Sequence, residues 1–527
     1  MHQCLQIPEI LVLISSKIHE PPTSGDTSWG SLPQREARAA LACLARTCGK
    51  FKEPALDVLW SYLKSFAPLI QCLPRDLWTR GNGCCLEFTR PLCTSDWAIF
   101  QRYAQRVRVL GSSDYGPALF ETTSYTIMDT LSSFLAEGAC FLPNLRELNW
   151  LDPRDHRDEP SDTDFSSLLP LFLAPHLTGL CFELASGSTE PSVAELSGIS
   201  SPHVSSPFIK RFECQETSET LMQSISESIS HWHHLEYVNA GALNQNAMTH
   251  LCSLRSLKQL KVHLEQKCKP TSARFPPTLE SFAMFPSSLT ICEEYLKDVY
   301  LAPDHLYIYP TGRKRPSASS FQRFFTFLPS RFSVANLHIM EFVCSGPDVE
   351  YPPLVWSLET FKPLFEFRNM TTFRSSYFCS AELSNRDLGE IALSWPQLEV
   401  LDLGTISDWR VPSLITFKGV LYVLRNCPRL RELGLVIDAT IMDPAAIEWR
   451  GTDVINARIE QFNVGCSDIR DPASVASLLS NILPRLRKIM MSRLWRNSAF
   501  DYRRDAWLQV EEFLGSFAAT RELVKQG

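Results

Sequence analysis

Leu398-Glu399-Val400-Leu401-Asp402-Leu403 and Leu430-Arg431-Glu432-Leu433-Gly434-Leu435 are two copies of one phrase. Each sets leucine at its first, fourth and sixth positions, so the last three residues alternate apolar, variable, apolar. Such alternation puts the fourth and sixth side chains on one face of a short strand. Six residues bury too little to hold a structure alone, so the phrase makes sense only where copies stack. Clear copies recur at 145–150 and 257–262, and weaker ones at 177–182, 209–214, 235–240, 279–284, 459–464 and 486–491. Looser ones end at Val109, Ile308, Ile339 and Ser375.

The fourth positions are Val107, Leu148, Leu180, Phe212, Val238, Leu260, Phe282, Leu306, Leu337, Phe373, Leu401, Leu433, Phe462 and Ile489. Their spacing varies from 22 to 41 residues with a mean near 29. That is the upper end of the leucine-rich-repeat range, ~20–29. Return segments at 127–141, 221–232, 386–395, 414–427 and 474–483 carry helical periodicity, while proline-rich joins at 200–207, 270–277, 310–316 and 347–353 predict loops. The expected fold is therefore α/β: an irregular leucine-rich-repeat solenoid over 67–527, a curved parallel sheet with helices and loops outside. A doubly wound α/β domain is the competing architecture, and fourteen copies at this spacing argue against it.

Composition narrows the function classes. The 527 residues include 44% hydrophobic and 21% charged residues and carry a net charge of −7. That is ordinary for a folded soluble chain and lacks the basic excess of a nucleic-acid binder. Seventeen cysteines are scattered without a preceding secretory signal, so reduced thiols in a cytoplasmic or nuclear protein are expected. No apolar run reaches the ~18 residues of a membrane span. The sequon Asn369-Met370-Thr371 is then read as chance.

The N-terminus has a different pattern. In Leu5-Gln6-Ile7-Pro8-Glu9-Ile10-Leu11-Val12-Leu13-Ile14, Pro8 suits a first helical turn and Glu9 complements the helix N-terminus. Ile7, Ile10, Leu11, Ile14 and Ile18 form one stripe. A breaker-rich loop is expected at 19–34, a second helix from Arg35 through Leu44, Cys48 and Phe51, and a third from Pro54 carrying Leu56, Leu59 and Trp60. By pattern alone these helices fit a cap on the next domain as well as a partner-docking module.

The residues also carry a resemblance. Ile7-Pro8-Glu9-Ile10-Leu11 followed by Ile14 resembles the opening of the F-box, and 44–51 resembles its second half. The run 53–60 resembles the segment just after the F-box in a large family of fungal, particularly basidiomycete, F-box proteins. The resemblance covers about the first sixty residues, and the loop at 19–34 is longer than the family's usual link. It implies a three-helix F-box module at 1–66 that docks a Skp-type adaptor, and through it a cullin scaffold. The adaptor-facing or core motif positions are Ile7, Pro8, Ile10, Leu11, Ile14, Leu44 and Phe51. The implied role is substrate receptor of an SCF-type cullin–RING ubiquitin ligase; a repeat scaffold with a vestigial F-box is the alternative.

Chemistry-bearing motifs are scarce. There is no phosphate loop, nucleophile elbow or His-Glu-x-x-His pair, so no catalytic site, metal or cofactor is expected. His231, His233 and His234 with Cys252 lack zinc-ligand spacing, as do Cys84, Cys85 and Cys93, and Cys43 and Cys48 read as small core residues. The acidic stretch 152–164 lacks calcium-loop spacing, and Arg313-Lys314-Arg315 reads as loop surface. The variable strand positions are more informative. They are charged near the N-terminus (Glu147, Asn149, Glu183, Arg211, Glu213) and become Phe285, Tyr307, Tyr309, His338, Met340 and Phe342 in the middle. Outward aromatics together suggest a surface for an unknown target protein, unless insertions cover them or the register slips.

Overall fold

The computed structural model describes residues 7–18, 32–81, 85–112, 119–120, 122–151, 166–183, 205–214, 219–265, 274–312, 316–343, 354–375, 382–406, 412–442, 454–492 and 502–526. They fall into two compact units, Met1–Leu257 and Lys258–Gly527.

In the first unit, α1 (Pro8–Ile18), α2 (Leu32–Thr47) and α3 (Gly49–Ser61) lead into a parallel ladder. Its strands among the described residues are Tyr62–Leu63, Val109–Leu110, Glu147–Leu151, Gly179–Glu183, Arg211–Cys214 and Tyr237–Ala240. Leu63, Leu110, Leu148, Leu180, Phe212 and Val238 share one register row, and all are buried. In the second unit the ladder runs through Gln259–Leu264, Ser281–Pro286, His305–Ile308, Ile339–Phe342, Thr372–Ser375, Val400–Leu403, Glu432–Leu435, Gln461–Gly465 and Lys488–Met491. Its buried row is Leu260, Phe282, Leu306, Met340, Phe373, Leu401, Leu433, Phe462 and Ile489. Each unit is thus an α/β ladder of leucine-rich-repeat type.

Twelve of the fourteen fourth positions fall in these rows; Val107 and Leu337 do not, their places being taken by Leu110 and Met340. Both errors are three-residue slips. An odd slip sends every side chain to the opposite face.

The N-terminal helices differ from expectation in three places. α2 begins at Leu32, with Pro33 in its first turn, so 32–34 are helical and not loop; 19–31 lie outside the described residues. Cys48 is extended (φ −159°, ψ 150°) and separates α2 from α3. Pro54, expected to start a helix, sits inside α3, where it leaves only the carbonyl of Lys50, near the helix start, without its i+4 donor. The strand Tyr62–Leu63 also lies within the 1–66 span assigned to the helical module. Arg106 pairs with both Glu53 and Asp57 of α3, tying that helix to the repeat after it.

Return helices begin where a small polar side chain caps the first turn. Asn244, Ser288, Ser317, Ser384, Thr416 and Asp471 each accept a backbone N–H two or three residues on. Such a cap contributes about 1 kcal/mol. The helices expected over 386–395, 414–427 and 474–483 are Asn385–Ser394, Phe417–Asn426 and Pro472–Ile482. Pro396, Pro428 and Pro484 follow their C-terminal caps Trp395, Cys427 and Leu483, where a helix cannot continue. These helices close over the apolar rows. Leu401 is fully buried, so Leu401→Ala should cost about 2–5 kcal/mol in urea melts, whereas Val400→Ala on the other face should cost well under half as much. Equal losses would contradict the register.

Candidate functional site

With one strand face committed to the core, alternate residues of the second unit face outward. Lys261, Ala283, Tyr307, Glu341, Arg374, Asp402, Gly434 and Asn463 stand side by side across consecutive strands. The row changes character along its length.

Its first part is aromatic. The His263 ring stacks on Phe285 at 4.8 Å, and Phe285 lies 5.9 Å from Tyr307 and 6.0 Å, edge-on, from Tyr309. All four rings are half-buried. Burial raises the Tyr307 phenol pKa, with Glu341 and Tyr309 adding to it.

The middle is ionic. Arg374 donates from Nη1 to Glu341 at 3.2 Å and from Nη2 to Glu432 at 2.5 Å. His305 Nε2 stands 3.6 Å from the other Glu341 oxygen, too far for a hydrogen bond. His305 and then Arg374 hold the Glu341 carboxyl below its usual range despite its burial. Burial opposes the charge on Arg374, yet Glu432 and Glu341 together raise its pKa.

Asp402 closes the row against Thr405, whose Oγ1 donates to the carboxylate at 2.8 Å. Asn463 Nδ2 in turn donates to Thr405 Oγ1 at 2.7 Å. A Cβ at Gly434 would lie 2.6 Å from the Asp402 carboxyl carbon, so glycine makes room for that carboxylate across the next strand. Desolvation raises the Asp402 pKa, and the bonds from Thr405 only partly offset it.

Of the expected target-facing residues, Phe285, Tyr307 and Tyr309 come together here. Phe342 does not: it is core, packed against Phe321, Phe325, Trp356 and Phe373, and Met340 is likewise buried. The slip at Leu337 is the reason, since it inverts the faces of that strand and hides Glu341. His338 precedes the strand and pairs through Nδ1 with Asp304 at 2.6 Å, at the edge of the row. Glu341, Arg374 and Asp402 were missed, although Asp402 occupies the variable fifth position of the clearest phrase.

At the other end of the chain, α1 and α2 pack on α3. Leu11 is buried at 3% exposure, whereas Ile7 (45%), Leu13 (61%) and Ile14 (40%) remain open, as do Val12 and Ile18. Pro8 is the first residue of α1, and Ile10, Leu44 and Phe51 are half-buried. The stripe on α1 is thus split: Leu11 is buried and Ile10 half-buried, while Ile7, Ile14 and Ile18 stay exposed.

The remaining motifs resolve simply. His231 Nδ1 and His250 Nε2 meet the backbone carbonyls of Glu227 and Trp232, and His233 packs on His250. Cys43 is exposed and Cys48 half-buried, so neither is a core residue. Among the described residues no three His, Cys, Asp or Glu are grouped to hold a metal, and no helix is long and apolar enough to cross a membrane. Cys84, 152–164 and 313–315 lie outside the described residues.

No family model and no curated protein sequence matches the chain. Among solved structures it is similar to an internalin (inlF) from Listeria monocytogenes, at 11% identity and TM-score 0.32, covering 74% of this chain and 88% of that one. It is also similar to a chain of the Rad7 and Elc1 complex in yeast, at 11% identity and TM-score 0.34, covering 73% and 77%. Likeness at these scores decides nothing about function.

An acid whose folded pKa is raised holds its proton more tightly when folded, so stability falls as pH climbs from the unfolded value of about 3.9 through the folded one. Asp402→Asn should therefore flatten the pH dependence of stability above about pH 4 and leave the variant the more stable near pH 7. Urea melts across that range check this; an unchanged slope would remove Asp402 as its source.

Proposed function

We propose that this chain is the non-catalytic substrate receptor of an SCF-type cullin–RING ubiquitin ligase. In this reading α1–α3 form the F-box and dock a Skp-type adaptor, while the repeat ladder holds a target protein. The observation that carries it is the open apolar edge of α1, where Ile7, Leu13 and Ile14 stay exposed beside the one buried anchor, Leu11. Contiguous apolar exposure on a short helix is costly unless a partner covers it, and of these residues Ile7 and Ile14 belong to the F-box-like motif. The target end is supported by the half-buried rings of Phe285, Tyr307 and Tyr309 beside fixed charges, a mixture suited to a protein interface.

Mechanistically the chain supplies proximity. It holds a target near a ubiquitin-charged enzyme, raising effective concentration without contributing a reacting group. Ile7→Asp with Ile14→Asp tests the adaptor end: both side chains are exposed, so folding should survive, whereas Leu11→Asp would bury a charge. The double variant should lose co-purification with the adaptor while its thermal melt stays put. Adaptor binding that persists in the variant, or is absent from the unmodified chain, would leave a repeat scaffold with a vestigial F-box. Tyr307→Ser with Tyr309→Ser should abolish target capture and spare the adaptor.

A further inference from the structure

We infer that the outward face of the second unit receives a basic segment of its partner, with an arginine or lysine cation lying over the Phe285–Tyr307–Tyr309 rings and against Glu341. This rests on reading that face as the target-binding surface and adds the chemistry of what it binds. Aromatic faces attract cations. Among the described residues, this chain's own cation–ring contacts are at Trp78, Tyr237 and Phe327, none of them in this cluster.

The charges around the rings point the same way. Glu341 stands directly beside Tyr307 on the next strand, and Asp402 and Glu432 follow two and three strands further on. Exposed Glu280 and Asp304 precede the strands that carry Phe285 and Tyr307. Against these carboxylates, of which Asp402 is held toward its neutral form by burial, stand Arg374, already shared between Glu341 and Glu432, Lys258, which precedes its strand beside Glu280, and Lys261, two strands from Tyr307 beyond Ala283. The imidazoles of His305 and His338 each face one of those acids. Acid exceeds base where the rings lie. An acidic partner segment would meet repulsion there, and a purely apolar one would leave Glu341 covered with its negative charge only partly matched.

The test uses the full chain and fluorescein-labelled random dodecapeptide pools, each with one position fixed as arginine, citrulline or glutamate, read by fluorescence polarisation. Citrulline keeps the shape of arginine without its charge. Arginine pools should bind about tenfold more tightly than citrulline pools, a difference of about 1.4 kcal/mol. Glutamate pools should bind least, and added salt should weaken the arginine signal. Glu341→Gln, nearly isosteric, and Tyr307→Ser should each reduce arginine-pool binding about tenfold while the chain stays folded at the assay temperature, as circular dichroism checks. Equal binding of the three pools, preference for glutamate or no binding at all would overturn the inference. If binding proves charge-blind yet is still lost in Tyr307→Ser, the basic partner fails and the target-surface reading stands. Binding untouched by either variant would remove that surface reading as well.

Discussion

In the second unit, the row from Leu260 through Leu306, Met340, Phe373, Leu401, Leu433 and Phe462 to Ile489 is buried by residues of successive repeats. A strand of four residues with one return helix has too little apolar area to offset the entropy of ordering it, so stability lies in nearest-neighbour stacking. The spacing along this row can therefore vary from 22 to 34 residues while the ladder stays in register. Inserted residues go to the connections, where added length costs little.

That constraint also frees the opposite face. Once Met340 and Phe342 are committed to the core, Ile339 and Glu341 must face out, and Glu341 is set between Tyr307 and Arg374 by backbone pairing alone. The pairing of Arg374 with both Glu341 and Glu432 and the carboxylate of Asp402 over Gly434 arise from the same register. The first unit obeys the rule with different residues: Arg211 pairs with Glu213 and lies over Tyr237, so its guanidinium is already engaged. The two faces differ in what they leave unbalanced, and the acidic excess beside half-buried rings belongs to the second.

Most of the ladder was legible because its code is local. Leu398, Leu401 and Leu403 announce a strand without help from the rest of the chain, and Ser384, Thr416 and Asp471 mark helix starts for equally local reasons. Legibility ended where an apolar residue three positions earlier offered a competing register, as Val107 does for Leu110 and Leu337 for Met340. The strand at 339–342 presents Met340 and Phe342 in place of the motif leucines, and Leu337, buried in the turn before it, offered a false match. One such slip put Phe342 on the target surface and concealed Glu341. Helices such as Leu289–Leu296 and Ala318–Phe327 went unread; the first buries Leu289, Cys292, Tyr295 and Leu296, and the second Phe321, Phe324 and Phe325.

The sequence by itself determined that short strands repeat, that their alternate residues form a core, and that an apolar helix opens the chain, because these depend on periodicity within a few residues. Only the tertiary structure decided which of those apolar residues are buried. Leu11 is covered and Ile14 is not, although both belong to one stripe, because burial depends on the orientation in which α1 meets α3. Only the tertiary structure could bring Tyr307, Glu341, Arg374 and Glu432 together across 125 residues, since parallel register is a relation between strands and is written in none of them singly.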